Sequence, residues 1–172
     1  GRQMHKSWGN SIEFNDAADK MGVDTMRWLY CAQKPENDLL FGYHRAEDIR
    51  RRFIIPLWNV YSFFSTYASL DGWQPATEGF SPGIPEGPTP PSDNPLDRWI
   101  LARLNQVIAQ VTKNLEDSDA YSATLIFEGL LDDLSNWYVR RSRRRYWKSE
   151  HDSDKNSAYA TLWHCFVKMA RA

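Results

Sequence analysis

Apolar residues recur at helical spacing along most of the chain, and the longest such run ends in a cluster of arginines. In residues 130–147 the apolar side chains fall on one arc of roughly 120°, given an advance of about 100° per residue. An arc of that width is typical of a helix that buries one face. The apolar positions are Leu130, Leu131, Leu134, Trp137 and Tyr138. We therefore predict a core helix in which Trp137 is buried.

A second long pattern covers residues 46–70. Apolar side chains such as Phe53 and Phe64 recur there at helical spacing and predict a helix with a broad buried face. Pro56 lies inside this pattern, where its missing N–H removes an internal hydrogen bond. We therefore expect the helix to bend near Arg52.

The segment that follows predicts two bundle helices in succession. Asn94 supplies a cap and Pro95 a preferred first helical residue. The apolar positions then step by three and four, as the seam of a bundle requires: Leu101, Leu104, Ile108, Val111 and Leu115. The run Asp117-Ser118-Asp119 is predicted to end this helix and to cap the next one, which extends from Ala120 to about Tyr146 and includes the arginine cluster.

Shorter elements are predicted elsewhere in the chain. Residues 11–33 indicate two short helices, with Asn15 capping the first, Gly22 ending it and Asp24 capping the second. Residues 71–93 are rich in Pro and Gly, which excludes a helix and predicts a long surface loop.

These patterns together predict an all-α protein, an antiparallel helix bundle preceded by a short N-terminal loop and small helices. Residues 1–45 form the N-terminal part and residues 46–172 the helical domain. A polar turn at residues 149–156 separates the arginine-rich helix from a last helix, which includes Ala158 and Met169 and is expected to be truncated.

Composition excludes several functional classes. A chain of 172 residues with 42% hydrophobic residues suits one compact domain, and eight tryptophans must fill its core or form a contact surface. Cys31 and Cys165 lie far apart and are predicted to be buried free thiols in a reducing compartment. No apolar run approaches a membrane span, so we expect no membrane partner and a cytoplasmic location. His164 has no neighbouring ligand pair, and no metal site is predicted.

The arginine cluster carries the strongest chemical signal, although the net charge of the chain is only −1. No carboxylate lies within helical reach of it until Glu150, so the guanidinium groups repel one another with little compensation. Guanidinium favours planar, bidentate pairing with phosphate, and we therefore predict contacts with an RNA backbone. The aromatic residues able to stack on bases are Trp137, Tyr138, Tyr146 and Trp147, of which the first two are assigned to the core and the last two remain candidates. The predicted phosphate ligands are Arg140, Arg141, Arg143, Arg144 and Arg145.

Two alternatives remain for these arginines. An acidic protein surface would also bind a cation cluster. In addition, Arg141 and Arg145 lie on the extension of the apolar arc, so a competing prediction pairs them inside the bundle with carboxylates such as Asp117 or Asp119. The basic run at residues 50–52 adjoins acidic side chains, and is either a second phosphate contact or a set of surface salt bridges.

The first ten residues, GRQMHKSWGN, resemble the KMSKS signature loop of class I aminoacyl-tRNA synthetases. Gln3 and His5 depart from that signature, whereas Lys6 matches the lysine that the family uses on ATP. The resemblance implies that Lys6 and Ser7 are catalytic, and that ATP is the nucleotide substrate, with Mg²⁺ accompanying it. The implied ATP loop comprises Gln3, Met4, His5, Lys6 and Ser7.

A longer resemblance covers residues 94–147, which are similar to the helical anticodon-binding domain of the isoleucine, leucine, valine and methionine synthetases. The run LSNWYVRRSR at residues 134–143 is most similar to the isoleucyl-tRNA synthetase family. That resemblance implies a fragment of a ligase that forms isoleucyl-adenylate and charges tRNA, with catalytic and editing domains elsewhere in the same protein. The alternatives are another synthetase of this subclass, an independent helical RNA-binding module and a protein-interaction bundle.

Overall fold

The computed structural model describes residues 3–75, 90–148 and 152–172, and within these ranges all regular structure is helical. A 3₁₀ turn at Lys6–Trp8 precedes the first α-helix. The α-helices are α1 (Phe14–Met21), α2 (Val23–Cys31), α3 (Tyr43–Ile49), α4 (Ile55–Leu70), α5 (Pro95–Glu116), α6 (Ala120–Asp132), α7 (Arg140–Trp147) and α8 (Ser153–Arg171). The all-α fold class predicted from the sequence is confirmed.

The residues that cap the two N-terminal helices differ from the predicted ones. The carboxylate of Glu13, not the side chain of Asn15, caps α1, because it accepts hydrogen bonds from the N–H groups of Asn15 and Asp16. Gly22 ends α1 as predicted, with a φ of +83° that favours glycine. It is also the residue before α2, which places Asp24 inside the first turn instead of at the cap.

A small separate core holds these N-terminal helices together. Its buried side chains are Ala17, Met21, Met26 and Ala46. Because Ala46 belongs to α3, the cluster extends just past the predicted boundary between residues 45 and 46, and that boundary stays a prediction. Cys31, at the end of α2, is exposed, so its predicted burial was wrong, whereas Cys165 is buried as expected.

The helix predicted around Pro56 accommodates the proline without a break. A π-helical segment at Arg50–Ile54 joins α3 to α4, and the N–H of Ile55 donates to the carbonyl of Arg50, five residues back. Hydrogen bonds that reach one residue further let the ladder pass Pro56, which has no N–H to donate. This π-helical segment lies where the bend was predicted, near Arg52, and the bend itself stays a prediction.

The main core lies between α4, α5, α6, α7 and α8. Helix α5 packs along α6, and a short turn connects the two. Asn94 and Asp119 cap α5 and α6 as predicted. Leu104 and Val111 of the predicted seam are buried, but Leu115 is exposed. The largest fully buried side chains are Tyr138, Tyr146, Tyr159, Ile49, Ile100, Leu104, Leu130, Leu131, Leu134, Leu162, Val107 and Val111.

The predicted burial of Trp137 was wrong, since 49% of its surface is exposed. A second π-helical segment, Asp133–Val139, explains the difference. In an α-helix Trp137 would lie about 60° short of a full turn from the buried Leu134. Each residue of a π-helix turns the chain less, so Trp137 falls further short of the buried face, whereas Tyr138 is close to a full turn from Leu134 and is buried as expected.

The loop predicted at residues 71–93 lies mostly outside the described residues, which include only its ends. The last helix begins earlier than expected, at Ser153, because Asp152 caps it through the N–H of Lys155. Among the helices in the described ranges, none is long and apolar enough to cross a membrane.

Candidate nucleic-acid interface

Four arginines of α7 share one exposed surface, which we name the arginine stripe: Arg140, Arg141, Arg143 and Arg144. The opposite side of α7 buries Ser142 and Tyr146 in the bundle. Because α7 continues directly from the Asp133–Val139 segment, whose Leu134 and Tyr138 are buried, the stripe is attached to the main core. Four of the five predicted phosphate ligands are therefore accessible in the structure.

The charges of the arginine stripe have no carboxylate partner among the residues that the structure describes. Some arginines elsewhere on the surface do have one: Arg50 and Arg51 both contact Glu47, at 3.4 Å and 3.1 Å. Arg103 likewise binds Asp133 at 2.8 Å. The alternative of surface salt bridges is therefore observed for Arg50 and Arg51, whereas the stripe is a local excess of positive charge.

Two exposed tryptophans accompany the stripe. Trp137 precedes it by one turn, and Trp147, at the end of α7, is 54% exposed. The guanidinium carbon of Arg141 lies 4.2 Å from the centre of the Trp137 ring, which is the geometry of a cation–π contact. The predicted alternative in which Arg141 pairs with Asp117 or Asp119 was therefore wrong.

Arg145 was predicted to bind phosphate, and the structure corrects this. Only 11% of its side chain is exposed, and it forms a bidentate pair with the fully buried Asp97, at 2.6 Å and 2.8 Å. Arg145 also donates to the carboxylate and the carbonyl of Asp154, at 3.1 Å and 2.9 Å. Its charge is thus satisfied inside the bundle, as the competing structural prediction required, but by carboxylates other than Asp117 or Asp119.

Asp97 is the centre of a buried polar cluster. Besides the Arg145 pair, it accepts hydrogen bonds from the hydroxyl groups of Tyr138, at 2.8 Å, and Ser92, at 2.6 Å. Burial raises the pKa of Tyr138 well above its ordinary value, so this phenol stays a neutral donor. Burial opposes the charged form of Arg145, but the hydrogen bonds to Asp97 and Asp154 raise its pKa overall. The cluster joins the start of α5 to α7 and α8.

Tyr146 was predicted to stack on a base, which its burial excludes. Only 1% of its surface is exposed, and its hydroxyl donates to the carbonyl of Ala158 at 3.0 Å. Its ring lies edge-on to Phe63 and to Tyr159, at 5.1 Å between ring centres in each case. Tyr146 is therefore a core residue, and only Trp147 of the two predicted stacking residues is accessible.

The lysines around the end of α7 are also satisfied internally. Lys148 contacts Asp152 and Asp154, and the buried Lys155 donates to the carbonyl of Lys148 at 2.7 Å while pairing with Asp71. Among the described cations of residues 140–155, those without a carboxylate partner are therefore the arginines of the stripe.

The N-terminal signature-like loop is closed on itself by Asn10. The Asn10 side chain accepts from the N–H of His5 and donates to the carbonyl of Gln3, both at 2.9 Å. The ring of His5 lies against Trp8, with 4.3 Å between the ring centres. Lys6 lies within this loop with an exposed side chain. Met4 and Ser7 are exposed as well, so the predicted ATP loop is accessible along its length.

The described part of the chain contains no group of three or more His, Cys, Asp or Glu side chains that could hold a metal ion. Trp137, which the sequence pattern assigned to the core, is an accessible aromatic residue at this interface. A further signal for it in the sequence is its position four residues before Arg141, which suits a cation–π pair on one helical face.

Comparisons with known proteins address the same region. Residues 97–172, which include Asp97 and the whole arginine stripe, match the family model of the anticodon-binding domain of tRNA ligases. The chain is 44% identical over 99% of its length to an isoleucine–tRNA ligase of Dehalococcoides mccartyi. It is 42% identical to one of Thermus thermophilus and 37% identical to one of Treponema denticola, again over 99% of the chain. The chain spans only 16% of the length of each of these relatives. The resemblance identified in the sequence is confirmed.

Proposed function

We propose that this chain, whose residues 97–172 belong to the anticodon-binding domain family of tRNA ligases, is a segment of an isoleucine–tRNA ligase and binds tRNA through its arginine stripe. The parent enzyme would form isoleucyl-adenylate from isoleucine and ATP and then charge the tRNA in the cytoplasm. Its catalytic and editing domains would lie in the rest of the same protein. The observation that carries this proposal is the row of four exposed arginines without carboxylate partners among the described residues.

The chemistry of the stripe favours phosphate as its ligand. A guanidinium group presents a planar fork of donors that matches two phosphate oxygens, and RNA offers such groups at regular intervals along its backbone. Free guanidinium groups this close together repel one another, and a polyanion removes that repulsion when it binds. Phosphate contacts of this kind position the tRNA without reading its sequence.

The N-terminal loop has a separate part in the proposal. Lys6 is exposed in a loop that Asn10 closes, so its ammonium group is available to an anion. In the intact ligase Lys6 would stabilise negative charge on the phosphates of ATP while pyrophosphate leaves, which is an electrostatic role. Ser7 and the neighbouring Gln3, Met4 and His5 would line the same nucleotide, and Mg²⁺ is expected with its phosphates.

Salt titration of tRNA binding tests the role of the stripe. Removal of a single arginine–phosphate contact should lower the slope of log affinity against log salt by about 0.7 to 0.9, the values for single-stranded nucleic acid and for a B-form duplex. The double variant Arg140→Gln/Arg144→Gln should therefore lower the slope by about 1.4 to 1.8 and weaken binding at low salt. Circular dichroism should show an unchanged helical fold, because both side chains are exposed.

The matched control is Arg50→Gln/Arg51→Gln, which removes the same net charge from arginines that already pair with Glu47. We expect its salt slope to equal that of the parent. If the stripe variant keeps the parental slope, the proposed phosphate contacts do not exist. If both double variants lower the slope equally, binding depends on net charge and the stripe has no special role.

A further inference from the structure

An exposed indole on an otherwise buried helical segment requires an explanation. Leu134 and Tyr138, on either side of Trp137, are fully buried, yet about half of Trp137 faces outward. Tryptophan has one of the largest apolar surfaces of any side chain, and leaving that surface in water forgoes stabilisation from burial. The π-helical geometry of Asp133–Val139 nevertheless directs this residue to the surface beside the arginine stripe.

Trp137 is not alone on that surface. The guanidinium carbon of Arg141 lies over its ring, 4.2 Å from the ring centre, so a planar cationic group contacts the indole. Arg141 is itself exposed, and none of the carboxylates in the described ranges pairs with it. The pair therefore presents a planar surface with a positive charge to the solvent.

We infer that Trp137 and Arg141 form a stacking platform for one unpaired base of the bound RNA, an inference that rests on the proposed RNA-binding function. Bases of single-stranded loops are free to leave their own stack and to continue one made of an aromatic ring and a guanidinium group. The bases of a duplex are already paired and stacked, so they are not available to such a platform. The neighbouring Arg140 and Arg144 are placed to hold the phosphates of the same strand.

The inference separates two roles within one helix. Arg140 and Arg144 contribute charge, and their effect depends on salt but not on the presence of bases. Trp137 contributes a flat surface without charge, so its effect depends on bases but hardly on salt. Arg141 contributes to both, because its planar group carries the charge. These different dependences allow the two roles to be measured independently.

The experiment compares three RNAs: a hairpin with an unpaired loop, the same hairpin with abasic nucleotides throughout the loop, and a blunt duplex with an equal number of phosphates. Trp137→Ala should weaken binding of the first by about 5- to 150-fold, the range that corresponds to loss of one base–aromatic stack. Its affinity for the abasic hairpin and for the duplex should equal that of the parent, and its salt slope should not change. Trp137→Phe should keep part of the lost affinity.

Arg141→Lys adds a second test, because lysine keeps the positive charge and loses the planar group. It should lower affinity for the intact loop and leave the abasic hairpin and the salt slope unaffected. Trp58→Ala is the matched control, since Trp58 is also an exposed tryptophan but lies on α4, outside the stripe. This control should bind all three RNAs like the parent. Thermal melting of each variant checks that the fold is retained.

The outcomes distinguish failure of this inference from failure of the proposed function. If Trp137→Ala and the parent bind the intact and abasic loops with the same ratio of affinities, the platform does not exist, even when the stripe variant still lowers the salt slope. If the parent binds the abasic hairpin as tightly as the intact one, no base is stacked at all. If the parent binds none of the three RNAs, the proposed function fails and the platform fails with it.

Discussion

Removing the carboxylate of Asp97 should be among the most destabilising single changes in this chain. Asp97 is fully buried and accepts four hydrogen bonds, two from Arg145 and one each from Tyr138 and Ser92. In Asp97→Ala the largely buried guanidinium of Arg145 keeps only Asp154 as a partner. Loss of one member of a buried ion pair typically costs about 3–5 kcal/mol, because the other charge stays buried.

The free energy of unfolding, obtained by urea denaturation at constant m value, measures this effect. For a chain of this length, a loss of about 3–5 kcal/mol corresponds to a fall in the melting temperature of roughly 6–20 °C. Asp97→Leu combined with Arg145→Met should recover part of the loss, because the double variant leaves no buried charge unpaired. The coupling energy of the pair is the loss in the double variant minus the sum of the losses in its two single variants, Asp97→Leu and Arg145→Met.

A small effect of Asp97→Ala would refute this reasoning. If the variant loses less than about 1 kcal/mol, the value typical of an exposed ion pair, Arg145 is solvated in solution. Arg145 would then be free to bind phosphate, and its substitution by Gln should lower the salt slope of tRNA binding. A large loss of stability with an unchanged slope in a folded Arg145 variant supports the structural assignment.

Two further predictions concern acid stability and catalysis. Burial alone would raise the pKa of Asp154, but hydrogen bonds from Arg145 and Asn94 outweigh burial, and the pKa is lowered overall. The ionised Asp154 therefore stabilises the fold fully above the unfolded pKa of 3.8, and this stabilisation is lost as the pH falls toward the folded pKa. Asp154→Asn should therefore flatten the fall in melting temperature below about pH 4, and an unchanged acid limb would contradict this. In the intact ligase, Lys6→Ala should slow adenylate formation with little change in isoleucine affinity, measured by pyrophosphate exchange, whereas the segment alone should show no isoleucine-dependent exchange.

The helices of this protein were predictable because local signals determine them. Asn94 and Asp119 cap α5 and α6 where their side chains were expected to do so, and Gly22 ends α1 with the positive φ that glycine tolerates. The buried residues Leu130, Leu131 and Leu134 follow from helical spacing alone. The family resemblance was also available from the sequence, since it rests on contiguous runs of residues.

The burial and the partners of individual residues around the arginine stripe were not predictable in the same way. Arg145 is neutralised by Asp97, which is 48 positions away, and no local pattern specifies such a partner. Tyr146 is buried by aromatic rings of α4 and α8, again through contacts made only in the folded bundle. Trp137 is exposed because a π-helical segment changes the number of residues per turn, whereas apolar spacing predicts burial only for a regular α-helix.

Helix α7 is held at one end by Arg145 and carries the charged stripe on its surface, and this arrangement has a kinetic consequence. Arg145 binds α7 to the start of α5, so the neighbouring stripe is held in place before any RNA arrives. Its long-range attraction then speeds diffusional encounter, and the association rate should fall steeply with ionic strength. Short-range stacking on Trp137 acts only after contact and should lengthen the residence time of the complex. One turn of helix would thereby separate the group that governs how fast RNA arrives from the group that governs how long it stays.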